Sequence, residues 1–269
     1  MNKILFIGCG HMGSALLTSW HKNTSNYFTI VDPNQYKKIN KKFRKRCHSY
    51  KDMESLKDIK KFDIIIFAVK PQIAHLVLKK FINLKFKKNV LFITIIAGKK
   101  ISFYNKFLPK KNHIVRAMPN MPAIIEEGMT CLVHGKFISK NDKIKVNSLF
   151  KWTGQYLWLK NENDLEKVTS ISGSGPGYFF LFINCLEKAA QKIGFKKNIA
   201  RELVYQTAIG SSLLLKDGLN SLELEKKIAI SGGTTEAALK TFKKKKALEK
   251  IVYNSVKSAY NRALMLGKK

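Results

Sequence analysis

The feature that most constrains the fold of this 269-residue chain is a change of pattern near residue 160. Before that point, short apolar runs alternate with amphipathic or charged stretches, which is typical of β-α-β units. Several runs are unbroken, as in strands buried on both faces of a parallel sheet. After that point only helical patterns follow. The sequence therefore predicts an α/β domain over residues 1–159 and an all-helical domain over residues 160–269.

The individual elements follow from the same patterning. Strands are predicted at residues 3–7, 28–31, 63–68, 90–96, 113–117, 130–133 and 156–159. Helices are predicted near residues 162–170, 177–194, 198–217, 221–229 and 234–266, with glycines at positions where helices commonly stop. The lysine run at residues 243–246 is interpreted as an exposed turn of the last helix.

The first motif with a chemical meaning is a GxGxxG sequence directly after the first strand. It comprises Gly8, Cys9, Gly10, His11, Met12 and Gly13, and a predicted helix follows. In this context glycines allow a tight turn and a close backbone approach, while the helix N-terminus offers free N–H groups to a pyrophosphate. The motif alone is weak evidence. Its placement between strand and helix favours a Rossmann-type dinucleotide site.

An acidic residue strengthens this interpretation. Asp32 ends the second predicted strand, 19 residues after Gly13, where a carboxylate can hold the adenosine ribose hydroxyls. The alternative is that the Asp-Pro-Asn sequence is only a turn. Asp32 favours NADH, whereas Lys37, Lys38, Lys41 and Lys42 could neutralise the 2′-phosphate of NADPH. The choice between NADPH and NADH stays open.

Two more segments carry glycines and hydroxyls in the helical half. One runs from Ser172 to Gly177 and leads into an apolar helix. The other runs from Ser231 to Glu236, before the last long helix. Both could bind an anion at a helix start, but tight packing explains the first equally well and helix capping the second.

Together the motifs resemble those of pyrroline-5-carboxylate reductases over nearly the whole chain. The resemblance rests on the GxGxxG loop, on residues 68–72, on RAMPNMPA at 116–123, on VTSISGSGPGY at 168–178 and on SGGTT at 231–235. The GSGP segment with its downstream GGTT is the most specific part. The chain departs from the family at Ile230, Gly177 and Met121, where serine, alanine and threonine are usual.

This resemblance implies a Rossmann domain followed by a helical dimerisation domain, with an active site between them that a second subunit partly supplies. It also implies a homo-oligomer built from dimers. The cofactor-binding residues that we expect from the motif and the resemblance are Ile7, Gly8, Cys9, Gly10, His11, Met12, Gly13, Asp32, Asn34, Ala68, Val69, Lys70, Pro71, Ile95, Ile96 and Ala97. On the substrate side we expect Glu162, Ser174, Gly233, Thr234 and Thr235.

The implied reaction is hydride transfer from NADPH or NADH to 1-pyrroline-5-carboxylate, which gives L-proline in the last step of its biosynthesis. A protonated imine carbon accepts hydride without metal activation, so the enzyme mainly has to position its reactants. No metal site is expected. Thr235 is the expected catalytic residue, with its hydroxyl hydrogen-bonded to the ring nitrogen.

The net charge of +32 raises the alternative of nucleic-acid binding. Only five of the 50 basic residues are arginines and the lysines are spread along the chain, so we expect a solvated surface and no specific nucleic-acid partner.

The apolar stretches are too short to cross a membrane and the start does not resemble a signal peptide. The four cysteines are far apart, which is consistent with reduced thiols and a cytoplasmic location.

Two other functions remain compatible with this architecture. One is a reductase of the β-hydroxyacid dehydrogenase type, which would need a lysine acid/base in the helical domain, and no lysine there lies in a comparably marked motif. The other is a non-catalytic dinucleotide-binding protein, because a fold by itself does not define an activity.

Overall fold

The computed structural model describes residues 1–43, 45–218 and 220–268. Its centre is an eight-stranded sheet in the order β3-β2-β1-β4-β5-β6-β7-β8. The strands are β1 (Lys3–Ile7), β2 (Tyr27–Val31), β3 (Cys47–Tyr50), β4 (Ile64–Phe67), β5 (Leu91–Thr94), β6 (His113–Met118), β7 (Gly128–His134) and β8 (Gly154–Trp158). The first six are parallel, β7 runs antiparallel to β6, and β8 is parallel to β7.

Strand alternation divides the core into two layers. Ile4 and Phe6 of β1 pack on one face of the sheet, together with Trp20. Leu5 and Ile7 of the same strand pack on the other face. Successive side chains of a strand point to opposite sides, and here both sets pack in a core. This explains why the apolar runs in the sequence are continuous.

The helices alternate with the strands in the first half and dominate the second. They are α1 (His11–Asn23), α2 (Tyr36–Lys42), α3 (Ala74–Lys79), α4 (Ile101–Tyr104), α5 (Lys140–Phe150), α6 (Asp164–Val168), α7 (Gly175–Lys192), α8 (Lys197–Leu213), α9 (Ser221–Ile228), α10 (Thr234–Lys243) and α11 (Ala247–Lys268). The predicted fold class, a Rossmann-type sheet domain followed by helices, is confirmed.

The packing forms two compact units. One contains Met1–Ser174 and the end of the chain from Ala259, and the other contains Gly175–Ser258. The proposed domain division at residue 159 stays a prediction. Within the described ranges, no helix is both long and apolar enough to cross a bilayer.

Two details of the predicted elements are wrong. The strand β3 was not predicted, because it is only four residues long and contains His48 and Ser49. The predicted helix over 234–266 is broken into α10 and α11 by a turn at Lys244–Lys246, where Lys245 and Lys246 have positive φ angles. Consecutive exposed lysines repel one another and bury nothing that would hold a continuous helix there.

Candidate functional site

The carboxyl ends of β1, β2, β4 and β5 surround a cleft of about 1200 Å³. Nearly all of the residues predicted to bind the cofactor line it: Ile7, Gly8, Cys9, Gly10, His11, Met12, Gly13, Asp32, Asn34, Ala68, Val69, Lys70, Pro71, Ile95 and Ala97. Ligands of open α/β sheets bind at this edge, where the strand order reverses beside β1. The cleft is large enough for a ligand of dinucleotide size.

The glycine loop crosses the edge of the sheet very closely. Gly8 has a φ of +85°, and a Cβ there would lie 2.6 Å from Val69 Cγ1 and 2.9 Å from the Ala68 carbonyl oxygen. A Cβ on Gly13 would lie 3.3 Å from Ala68 Cβ. The loop therefore needs glycine at Gly8 for both its backbone angle and its contact with the end of β4.

Gly10, the middle glycine of the motif, borders open space. Gly10 caps the N-terminus of α1, no side chain caps that helix, and a Cβ on Gly10 would have nothing within 4 Å. The first N–H groups of a helix lack intrahelical acceptors and attract anions. Open space beside these donors fits the pyrophosphate of a dinucleotide. His11 is exposed beside them.

On the adenosine side of the cleft, Asp32 connects the glycine loop to the turn before α2 through hydrogen bonds. Its Oδ2 accepts a hydrogen bond from the Cys9 N–H at 2.7 Å, and its Oδ1 accepts from the N–H groups of Asn34 and Gln35 at 2.8 and 2.9 Å. The side chain is buried. It therefore organises the glycine loop and the turn into α2, besides the ribose contact predicted for it.

The lysines proposed to neutralise a 2′-phosphate do not all line the cleft. Of the four proposed to face a 2′-phosphate, Lys38 is the one that lines the cleft among the described residues. Lys42 instead lies over the Phe43 ring and donates to Thr18 Oγ1 at 3.3 Å. Sequence reasoning missed Lys51 and Asp52, which also line the cleft, because they follow the unpredicted strand β3.

Two predicted cofactor residues are notable for burial. Ile96 does not line the cleft, since its side chain packs in the core beside Leu5 and Ile7, so only its backbone is available to a ligand. Cys9 is also buried, and burial, followed by the charge of Asp32, raises the pKa of its thiol to about 12. The Cys9 thiol is therefore neutral at physiological pH.

The substrate-side candidate Glu162 is held by protein groups. Its Oε1 accepts from the Ile101 N–H at 2.7 Å and from Arg116 Nη1 at 3.2 Å. Arg116 also donates through Nη2 to Glu166 Oε1 at 2.9 Å. This network links β6 to the first residue of α4 and to α6.

The RAMPN and GSGP motifs meet in the structure. Asn120 donates through its amide nitrogen to the Ser172 carbonyl at 3.0 Å and accepts from the Met129 N–H at 2.8 Å. A Cβ on Gly173 would lie 3.1 Å from Met118 Cε. The structure therefore supports close packing at Gly173. Ser174 is partly buried at the start of α7 and its N–H donates to the Thr169 carbonyl at 2.9 Å.

The GGTT segment begins α10 without using its threonines as caps. Gly233 occupies the N-cap position with no side-chain cap, and the Gly232 N–H donates to Glu236 Oε2 at 3.0 Å. Among the described residues, neither the Thr234 nor the Thr235 hydroxyl has a protein hydrogen-bond partner. The alternative explanation of these threonines as capping residues is therefore not supported.

Two family models match the chain. Residues 162–266 match a model described as pyrroline-5-carboxylate reductase dimerisation. Residues 3–98 match one described as NADP oxidoreductase, coenzyme F420-dependent. The two matches fall on the helical part and on the cleft-forming part of the sheet.

Complete proteins of known family are similar over nearly the full length. A pyrroline-5-carboxylate reductase of Haemophilus influenzae is 31% identical over 89% of this chain and 88% of its own. The structure of a pyrroline-5-carboxylate reductase from Coxiella burnetii superposes with a TM-score of 0.89 at 28% identity, covering 100% and 99% of the two chains. Plasmodium falciparum pyrroline carboxylate reductase with NADP bound gives 0.83 at 30% identity, covering 99% and 98%.

Proposed function

The chain belongs to the pyrroline-5-carboxylate reductase family, and from that membership we propose which of its residues carry the reaction. It is an NAD(P)H-dependent enzyme that reduces 1-pyrroline-5-carboxylate to L-proline, the last step of proline biosynthesis. The match to the dimerisation model indicates that it forms a homo-oligomer. We propose that this assembly is built from dimers.

The cleft residues would hold the cofactor. We assign the pyrophosphate to the N–H groups at the start of α1 beside Gly10, and the ribose side to Asp32 and Asn34. The remaining contacts come from Ala68–Pro71 after β4 and from residues 95–97 after β5. When bound there, NAD(P)H supplies the hydride.

We place the substrate contacts at Glu162, Ser174, Gly233, Thr234 and Thr235. The Thr235 hydroxyl donates to or accepts from the ring nitrogen of the cyclic imine and fixes the orientation of its C=N bond. The substrate carboxylate pairs with backbone N–H groups at the start of α10. The N–H groups of Gly232 and Gly233 already donate to Glu236 Oε2 and to the Ile230 carbonyl. The helix-start donors that remain are the N–H groups of Thr234, Thr235 and Glu236, and we assign the carboxylate to the first two.

The observation that supports this role is the free state of the two hydroxyls. A capping threonine would already be hydrogen-bonded, whereas Thr235 is half-buried and has no partner among the described residues. Ile230, where the family often has serine, is exposed and supplies no hydroxyl to the carboxylate. The threonines therefore carry more of the polar recognition in this chain.

Replacing Thr235 tests the proposal. We expect Thr235→Ala to lower kcat by roughly ten- to a thousandfold, the range for lost orienting or polar catalytic groups. Thr235→Ser keeps the hydroxyl and should recover most of the rate. The measurement is the loss of NAD(P)H absorbance with pyrroline-5-carboxylate, together with the dissociation constant of the dinucleotide, which should not change.

A matched control lies on the same helix. Thr241 is also in α10, but its hydroxyl donates to the Ala237 carbonyl at 3.5 Å. Thr241→Ala should leave kcat near that of the native enzyme. Unchanged turnover in Thr235→Ala would remove this residue from the mechanism.

We also propose that the reaction takes place in the cytoplasm. The four cysteines, Cys9, Cys47, Cys131 and Cys185, are free thiols in the structure. Thiols of cytosolic proteins are kept reduced.

A further inference from the structure

The segment between β5 and α4 forms one wall of the cleft. Its residues Ile95 and Ala97 line the cleft together with Ala68–Pro71 from the neighbouring strand end. In a doubly wound sheet, the half beyond the reversal of strand order faces the second nucleotide of a dinucleotide. The position of residues 95–100 therefore sets where the reactive end of the cofactor can lie.

This segment is fastened at both of its ends. On the strand side, Thr94 Oγ1 and Tyr104 Oη lie 2.5 Å apart, and Thr94 Oγ1 accepts from the Ile96 N–H at 3.2 Å. On the helix side, the Ile101 N–H donates to Glu162 Oε1 at 2.7 Å. The four-residue helix α4 is too short to be stable by itself, so these bonds define its place.

Glu162 is in turn held by a charged network whose other two members, Arg116 and Glu166, are buried. Arg116 and Glu166 are 3% and 4% exposed at their side chains, and Glu162 is 23% exposed. One guanidinium donates to both carboxylates. Replacing a buried ion pair with apolar side chains is often neutral or stabilising, so stability alone does not account for this arrangement.

We propose that Glu162, in addition to the substrate contact placed on it above, is a positioning residue for the cleft wall at residues 95–100. Arg116 and Glu166 hold its carboxylate in the orientation that receives the Ile101 N–H. Arginine suits this task because its planar fork can donate to two carboxylates at once. The catalytic consequence rests on the proposed function. A wall displaced by about 1 Å would misplace the cofactor and slow hydride transfer by up to roughly a hundredfold.

Glu166→Gln tests the network with little change in shape. We expect kcat to fall about tenfold, while the dissociation constant of NAD(P)H stays within about threefold because the glycine loop and Asp32 are untouched. Amide hydrogen exchange of the peptide covering residues 95–104 should become faster. Arg116→Lys should behave in the same way, since an ammonium cannot replace the fork.

Tyr104→Phe provides a second variant at the other fastening point, and it keeps the buried ring. It should also speed exchange of residues 95–104 and lower kcat. The exchange measurement uses the enzyme without substrate, so it tests the positioning role even if Thr235 proves unimportant for the reaction.

Asp142→Asn is the matched control. Asp142 is a buried carboxylate in the same unit, but it bonds His113 at the amino end of β6 and Ser139 at the N-cap of α5, away from the cleft. It should lose stability while keeping kcat and the exchange rate of residues 95–104. Unchanged kcat and exchange in a folded Glu166→Gln enzyme would overturn the proposal, as would an equal effect in Asp142→Asn.

Discussion

Asp32 holds the glycine loop and the turn before α2 in place, and we propose that it also binds the dinucleotide. Three backbone N–H groups, those of Cys9, Asn34 and Gln35, converge on its two carboxylate oxygens. A carboxylate offers about four acceptor positions, so room remains for a ribose hydroxyl. In this proposed role, Asp32 links the fold of the glycine loop to the affinity for a dinucleotide.

Asp32→Ala should weaken both properties. Loss of the acceptor leaves the buried Cys9 N–H unsatisfied, which costs about 1–3 kcal/mol of unfolding free energy. We expect NADH to lose at least about tenfold in affinity, equivalent to about 1.4 kcal/mol. NADPH should lose less, because the removed carboxylate also repels a 2′-phosphate. Urea unfolding and fluorescence titration measure the two effects.

Asp52→Ala is the control for this prediction. Asp52 also lines the cleft, but it is at the surface and bonds only its near neighbour Ser55 among the described residues. Its replacement should change neither the unfolding midpoint nor the NADH affinity appreciably. Equal losses in both variants would mean that the three hydrogen bonds accepted by Asp32 do not account for its effect.

The sequence predicts site residues well when they lie close together along the chain, and poorly when their partners are distant in sequence. The glycines and Asp32 lie within one β-α-β unit and have a fixed spacing, so they were readily identified. The partnership of Arg116 with Glu162 and Glu166 joins residues 46 and 50 positions apart. No local pattern marks such a pair, and only the family resemblance points to Glu162.

At the scale of elements, the sequence predicts best those strands that are continuous apolar runs. The runs around β4 and β5 are entirely buried and were found. The strand β3 alternates buried Cys47 and Ser49 with more exposed neighbours over four residues, a pattern too short to be significant. The break at Lys244–Lys246 depends on backbone angles that no periodicity encodes.

The N-terminus of α5 offers an element-scale prediction with a pH dependence. Ser139 and Asp142 form a reciprocal capping box, and Asp142 also bonds His113. Burial alone would raise the pKa of Asp142, but the hydrogen bonds from Ser139 and His113 outweigh it and lower the pKa below its ordinary value of 3.8. The stabilisation is therefore present above that value and is lost as the pH falls through the lower, folded-state pKa.

We expect Asp142→Asn to lose about 1–3 kcal/mol of unfolding free energy near neutral pH. The difference from the native chain should shrink as the pH falls below about 4, because the Asp142 carboxyl is protonated first in the unfolded chain and then, at its lower folded-state pKa, in the native one. Urea unfolding at several pH values measures this. A difference that stays constant down to about pH 2 would show that the charge of Asp142 does not contribute.

At the scale of the whole molecule, charge and apolar surface have separate meanings. The +32 net charge comes mostly from lysines spread along the chain, so the absence of a specific nucleic-acid partner remains our prediction. The apolar surface is concentrated, because α7 exposes a run of large side chains: Phe179, Phe180, Leu181, Phe182 and Leu186. Contiguous exposed apolar surface is typical of an interface between chains.

Phe180→Asp should therefore break the homo-oligomer. Phe180 is 63% exposed in the single chain and lies in the segment that matches the dimerisation model. A carboxylate buried in an apolar interface without a partner costs several kcal/mol, enough to dissociate the oligomer at micromolar concentration. Light scattering after gel filtration should show the mass of one chain, with helical content unchanged by circular dichroism.

The matched control is Ile144→Asp, because Ile144 is 64% exposed on α5 of the other unit and should keep the native mass. If Phe180→Asp keeps its mass, or if Ile144→Asp loses it, α7 is not the surface that joins the subunits.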